Sequence, residues 1–137
     1  MLSYLAQPEQ QDTRPEIVKL LYSTRLAGEG LDQVLFLTRL KQVFEDLNKS
    51  GSYPSTMDVH LTDSTALSDD VSSNPWLKIH NNRITHQQLK SSLGSANDRR
   101  DSVVAYVCGP PSMTDEFVNV LQTEEGMQDR VFCEKWW

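Results

Sequence analysis

Apolar residues change their period several times along this chain, and each change marks an element. Residues 17–22 form a short, mostly apolar run with Lys19 as its one charge, which predicts a strand covered on both faces, as in a parallel sheet. From residue 32 to 48 the spacing becomes helical: Val34, Leu35, Leu37, Leu40, Val43, Phe44 and Leu47 make one stripe, and Gly51 follows as a stop. Residues 56–62 then alternate Met57, Val59 and Leu61 with Asp58, His60 and Thr62, a period of two that predicts an edge strand with one wet face. His60 should face solvent there.

The C-terminal third repeats the cycle. An apolar run over residues 102–107 predicts a strand, and Met113, Phe117, Val120 and Leu121 predict a helix that Gly126 closes. Residues 130–133 supply a last strand, with Cys133 expected in the core. Between the two cycles, Thr85-His86-Gln87-Gln88 is a capping box, and Ile84 with Leu89 form a hydrophobic staple, so a short helix should run to Leu93 before Gly94. His86, in its first turn, should face solvent. Residues 1–6 read as the end of a helix that Pro8 terminates; residues 7–15 read as a polar loop, 26–30 as a turn, and 63–74 as a Ser-, Thr- and Asp-rich surface loop anchored by Trp76 and Leu77. Helices alternating with strands in this order predict an α/β sandwich around a mostly parallel sheet.

Composition bounds what such a domain does. With 137 residues and 38% hydrophobic residues the chain has material for one modest core. A net charge of -6 with scattered Lys and Arg argues against a nucleic-acid partner, and no apolar run reaches the roughly 18 residues of a membrane span. Cys108 and Cys133 form neither a C-x-x-C pair nor a metal knuckle with His60, His80 or His86, so no metal site is expected and both thiols should be reduced in an intracellular compartment. No secretory or transit segment is evident in the first residues.

Two places carry candidate chemistry. The run Val107-Cys108-Gly109-Pro110-Pro111-Ser112-Met113 joins a strand to a helix through a rigid turn, with Gly109 tolerating positive φ and two prolines fixing φ. Ligands of open α/β sheets bind at the carboxyl ends of strands, and free N–H groups of a following helix attract phosphate. Ser112, with Asp115 three residues on, is a candidate cap; the alternative is an ordinary turn with a structural Cys. The second place is Ser23-Thr24-Arg25, at the end of the first strand, where hydroxyls and a guanidinium suit a ribose 2′-phosphate or simply satisfy a solvated turn. Trp136 and Trp137 need a surface: a planar ring or the core edge. No G-x-S-x-G elbow or Cys–His pair supports a hydrolase.

The Cys108-Gly109-Pro110-Pro111 turn, together with the ending Glu134-Lys135-Trp136-Trp137, resembles the nucleotide domain of the ferredoxin-NADP reductase superfamily. The resemblance runs from Ile17 to Trp137 and implies a three-layer α/β/α Rossmann-like fold. It implies NAD(P)H as ligand, hydride exchange with a flavin, Ser23, Thr24 and Arg25 at the adenosine end, and Cys108, Gly109, Pro110, Pro111, Ser112 and Met113 around ribose and nicotinamide. Cys108 and Glu134 become the catalytic candidates, with Trp136 and Trp137 near the flavin. The superfamily opens this domain with a strand and a Gly-rich turn, preceded by an FAD-binding barrel. Neither pattern precedes Met1-Leu2-Ser3-Tyr4-Leu5, so the expectation is an N-terminally shortened domain: residues 1–15 a remnant of helix and loop, residues 16–137 an incomplete NAD(P)-binding domain. FAD would then come only with the barrel of a longer parent, whose electron acceptor is unknown and for which the resemblance allows a mitochondrial location. The competing expectation is a non-catalytic α/β interaction module derived from such a reductase.

Overall fold

The computed structural model describes residues 15–25, 31, 34–50, 54–62, 74–94 and 100–136. The helix expected at 1–6, most of the loop that follows it, the turn at 26–30, the body of the loop at 63–73, Gly51 and Trp137 lie outside the described residues. The chain divides into two compact units, Met1–Arg83 and Ile84–Trp137.

In the first unit, strand β1 (Lys19–Arg25), helix α1 (Leu37–Ser50), strand β2 (Thr56–Thr62) and strand β3 (Leu77–His80) form a parallel sheet in the order β1-β2-β3 with the helix in the β1–β2 crossover. The helical stripe does what its spacing requires: Leu37, Phe44 and, from the preceding turn, Val34 pack on Met57, Val59, Leu61, Trp76 and Leu77, with the Phe44 and Trp76 rings stacked at 6.0 Å. The helix starts later than its apolar pattern. Phe36 sits at φ 61, in the left-handed region that a bulky residue adopts only under constraint, and Leu35 is thrown out to 64% exposure. At the other end Asn48 bridges helix and sheet, its amide donating to the carbonyls of Phe44 and Ser55 and its oxygen accepting from the Ser55 N–H.

Two expectations are corrected here. β2 is the middle strand, not an edge, because residues 77–80 form a third strand that the pattern of the sequence left inside a loop anchor. His60 is accordingly fully buried instead of facing water.

In the second unit, helix α2 (His86–Ser92), a short 3-10 turn (Arg100–Ser102), strand β4 (Ala105–Gly109), helix α3 (Pro111–Gln122) and strand β5 (Val131–Lys135) follow in order, and β4 pairs β5 in parallel. The capping box is formed in full: Thr85 Oγ1 accepts from the Gln88 N–H and Gln88 Oε1 accepts from the Thr85 N–H. Leu93 is the C-cap and Gly94 follows at φ 85. α3 buries Thr114, Phe117 and Leu121 and packs on both strands. α2 also meets α3 and the turn that follows it, through His86–Glu116 at 2.6 Å and Lys90–Glu124 at 2.8 Å respectively.

Every strand pairing is parallel and each neighbouring pair β1–β2 and β4–β5 is joined through a helix, which makes the chain a mixed α/β protein of Rossmann-like construction. Among the described residues β1 pairs on one side only, with β2, and β4 on one side only, with β5, so the strands lie in two sheets. No helix of the described residues is long and apolar enough to cross a membrane.

Candidate functional site

The sequence of β4 decides which side chains reach its open face. Alternation puts Val107 and Gly109 against α3, where both are buried, and turns Tyr106 and Cys108 the other way, where both are exposed. In the parallel register Tyr106 aligns with Phe132 and Cys108 with Glu134. One face of this small sheet therefore carries Tyr106, Cys108, Phe132 and Glu134, and of these Cys108 and Glu134 stand near the carboxyl ends of the two parallel strands, the edge where ligands of α/β sheets bind. The Tyr106 hydroxyl donates to Glu134 Oε2 at 2.6 Å, and that bond, with the nearby negative charge, pushes the phenol up to about 12.

Lys135, on the opposite face, pairs with Asp115 of α3 at 2.6 Å, which holds the ammonium above its usual range. The ladder continues one step further, the Trp136 N–H donating to the Gly109 carbonyl at 2.9 Å. Trp136 stays 60% exposed.

The turn after Cys108 differs from expectation in how it works. Gly109 is not at positive φ; among the described residues only Gly94 and Gly126 are the glycines there. Its lack of a side chain serves close approach, since a Cβ would come within 2.3 Å of Met113 Cε. The helix begins at Pro111, with Pro110 as N-cap at φ −55 and ψ 145 and no side-chain cap. Ser112 is thus already inside the first turn and cannot cap it, and Asp115 is spent on Lys135. The Thr114 hydroxyl does not cap either: it donates to the Gly109 carbonyl at 3.2 Å and so ties the first turn to the end of β4. Of the four N–H groups a helix leaves unpaired at its start, two are missing at Pro110 and Pro111, which leaves those of Ser112 and Met113 to face an anion.

Cys133 corrects another expectation: it is exposed, not packed in the core. Residues 131–135 alternate over a sheet of two strands that α3 covers incompletely, so neither face of β5 is fully closed. A shallow cleft lined by Val104, Gly126, Arg130 and Phe132 lies at the opposite, N-terminal end of β4 and β5.

In the first unit, Ser23, Thr24 and Arg25 are the last three residues of β1. Ser23 aligns with His60 and Arg25 with Thr62, whereas Thr24 aligns with Leu61 on the face that meets α1. The three residues therefore divide between the two faces, and only Ser23 and Arg25 share one. The same face holds an arrangement that the sequence did not signal. His80 Nε2 lies 2.6 Å from Asp58 Oδ1, and the His80 ring stacks on His60. Among the described residues no three or more His, Cys, Asp or Glu side chains group as metal ligands.

Neither a protein-family model nor a solved structure matches the chain. Curated relatives do: oxidoreductase NAD-binding domain-containing protein 1 of Bos taurus is 26% identical over 120 residues, and that of Homo sapiens is 27% identical over 122 residues. The protein of the same name from Pongo abelii is 25% identical over 120 residues. In each case the match takes in 88% of this chain and 33% of the relative, so the chain spans about a third of the length of the proteins it matches. It is a distant homologue of oxidoreductase NAD-binding domain-containing protein 1 over most of its own length.

Proposed function

We propose that this chain is the NAD(P)H-binding part of a flavin-dependent oxidoreductase. One observation carries the reading beyond the relatives' name: Cys108 and Glu134 are register partners at the carboxyl ends of two parallel strands, directly before the N-terminus of α3. A thiol and a carboxylate there suit a nicotinamide. The carboxylate accepts from the carboxamide N–H₂, and the small, polarizable thiol allows close approach to the ring. The N–H groups of Ser112 and Met113 suit a diphosphate oxygen. Trp136 offers an exposed indole to a planar ring.

In the other unit, the guanidinium of Arg25 and the hydroxyl of Ser23, on one face of β1, suit a ribose phosphate, which favours NADPH tolerance. A bound nicotinamide would supply a hydride and a flavin would accept it; the residues named here bind and orient. Calorimetric titration of the chain with NADH and NADPH tests the reading, with Cys108→Ser and Glu134→Gln as site controls. Saturable binding weakened by Glu134→Gln supports it, and absence of binding by both nucleotides refutes it.

A second reading has its own observation. Val104, Tyr106, Phe132 and Trp136 are each 45–61% exposed in the same unit, which suits a non-catalytic module that meets a protein partner. Binding of neither nucleotide would favour it.

A further inference from the structure

We propose that Tyr106 is the positioning residue for Glu134, fixing its carboxylate on the Cys108-bearing face of the β4–β5 sheet through a single hydrogen bond. The inference rests on the reading of Glu134 as the group that meets a nicotinamide. Glu134 is exposed, and an exposed glutamate has rotatable bonds enough to sweep its carboxylate through many positions. A group meant to hold a carboxamide in one orientation needs that freedom removed. The register offers one means. Tyr106 stands two residues before Cys108 on the same face, and Cys108 is the strand partner of Glu134. Strand spacing and rise put the Tyr106 and Glu134 backbones about 8 Å apart on the diagonal, a gap that two side chains reaching toward each other can close.

They do close it. The phenol donates to Glu134 Oε2 at 2.6 Å, within the short range of a bond to an ionised acceptor. The neighbouring cation does not compete, because alternation sends Lys135 to the other face, where Asp115 holds it. Only one carboxylate oxygen is used by the phenol, so Oε1 can still accept from a ligand. With its ionisation pushed up to about 12, Tyr106 also remains a donor at every pH at which the protein would work.

The test uses the 137-residue chain, Tyr106→Phe, Glu134→Gln and the double variant. The first readout is the near-ultraviolet absorbance of tyrosinate during alkaline titration, with Tyr106→Phe identifying which of the 4 tyrosines is Tyr106. Its ionisation should lie near 12 in the parent and return toward about 10 in Glu134→Gln. The second readout is saturation transfer from protein to bound NADH by NMR. Tyr106→Phe should lower saturation of the nicotinamide protons by about twofold or more, as Glu134→Gln does, leave the adenine protons at parent intensity, and add nothing in the double variant.

A Tyr106 that ionises near its ordinary value and ignores Glu134→Gln overturns the tie. So does a Tyr106→Phe chain whose nicotinamide signal matches the parent while Glu134→Gln lowers it. If NADH receives no saturation in the parent, the dinucleotide reading fails instead, and the titration alone decides whether Tyr106 holds Glu134.

Discussion

His60 and His80 lie face to face, ring centroids 4.5 Å apart and planes 11° from parallel, on adjacent strands where the register makes them partners. The two imidazoles have opposite surroundings. His80 Nε2 meets the Asp58 carboxylate at 2.6 Å, whereas His60 Nδ1 reaches the backbone and side-chain oxygens of Asn82 at 3.2 and 3.1 Å. A backbone carbonyl only accepts, so Nδ1 of His60 carries the proton and its buried Nε2 is a bare lone pair with no partner among the described residues. Burial pushes His60 below its ordinary value of 6.5; the Asn82 side chain offsets part of this, and neighbouring His80 adds to the depression.

The sign of the pH effect follows. A His60 whose folded value is depressed binds fewer protons folded than unfolded, so stability falls as pH drops through 6.5 and levels off below the folded value. Urea midpoints measured from pH about 8 to about 5 should show this loss, and His60→Phe should flatten it. Equal slopes in parent and variant would show that His60 does not titrate against burial.

Gly109→Ala should be a mild lesson in packing. The new Cβ meets Met113 Cε at 2.3 Å, but that atom is the end of a flexible side chain and can swing aside. A loss of about 1 kcal/mol is expected, and Met113→Ala in the same chain should recover most of it. A loss unchanged by Met113→Ala would mean that the backbone of the turn is what resists.

Thr85→Ala removes one half of a capping box and should cost about 0.5–2 kcal/mol. Thr85→Ser, which keeps the hydroxyl, should cost little. Thermal unfolding of both variants checks the difference; equal losses would assign Thr85 a role other than capping.

That cap was legible because it is local: four consecutive residues hold all its donors and acceptors. The α1 stripe was legible for the same reason, and so was the place of the β4–α3 turn, but not its geometry, since Gly109 is not at positive φ. What a neighbouring strand does was not. His60 reads as exposed from the alternation of β2, and becomes buried because β3 pairs beside it and His80 covers its ring. Ser112 reads as a cap until Pro110 and Pro111 start the helix two residues earlier than a serine cap would. At the site, the residues of the Cys108 turn could be named in advance, but the bond between Tyr106 and Glu134 depends on a register across 28 residues that no local pattern encodes.

Arg25→Ala should weaken NADPH more than NADH, by about 1.5–3 kcal/mol if the guanidinium meets the 2′-phosphate. Parallel titrations with both nucleotides check this. Equal losses would remove the phosphate role from Arg25 and return it to the surface of β1.

The central claim is that the Cys108–Glu134 end of the β4–β5 sheet meets the nicotinamide of a bound dinucleotide. The most direct measurement is saturation-transfer NMR of NADH on the purified chain, read separately at nicotinamide and adenine protons, in the parent and in Glu134→Gln. The account predicts saturable transfer to both ends in the parent and selective loss at the nicotinamide protons in the variant. Transfer that is absent in the parent, or that Glu134→Gln leaves unchanged at the nicotinamide, contradicts it.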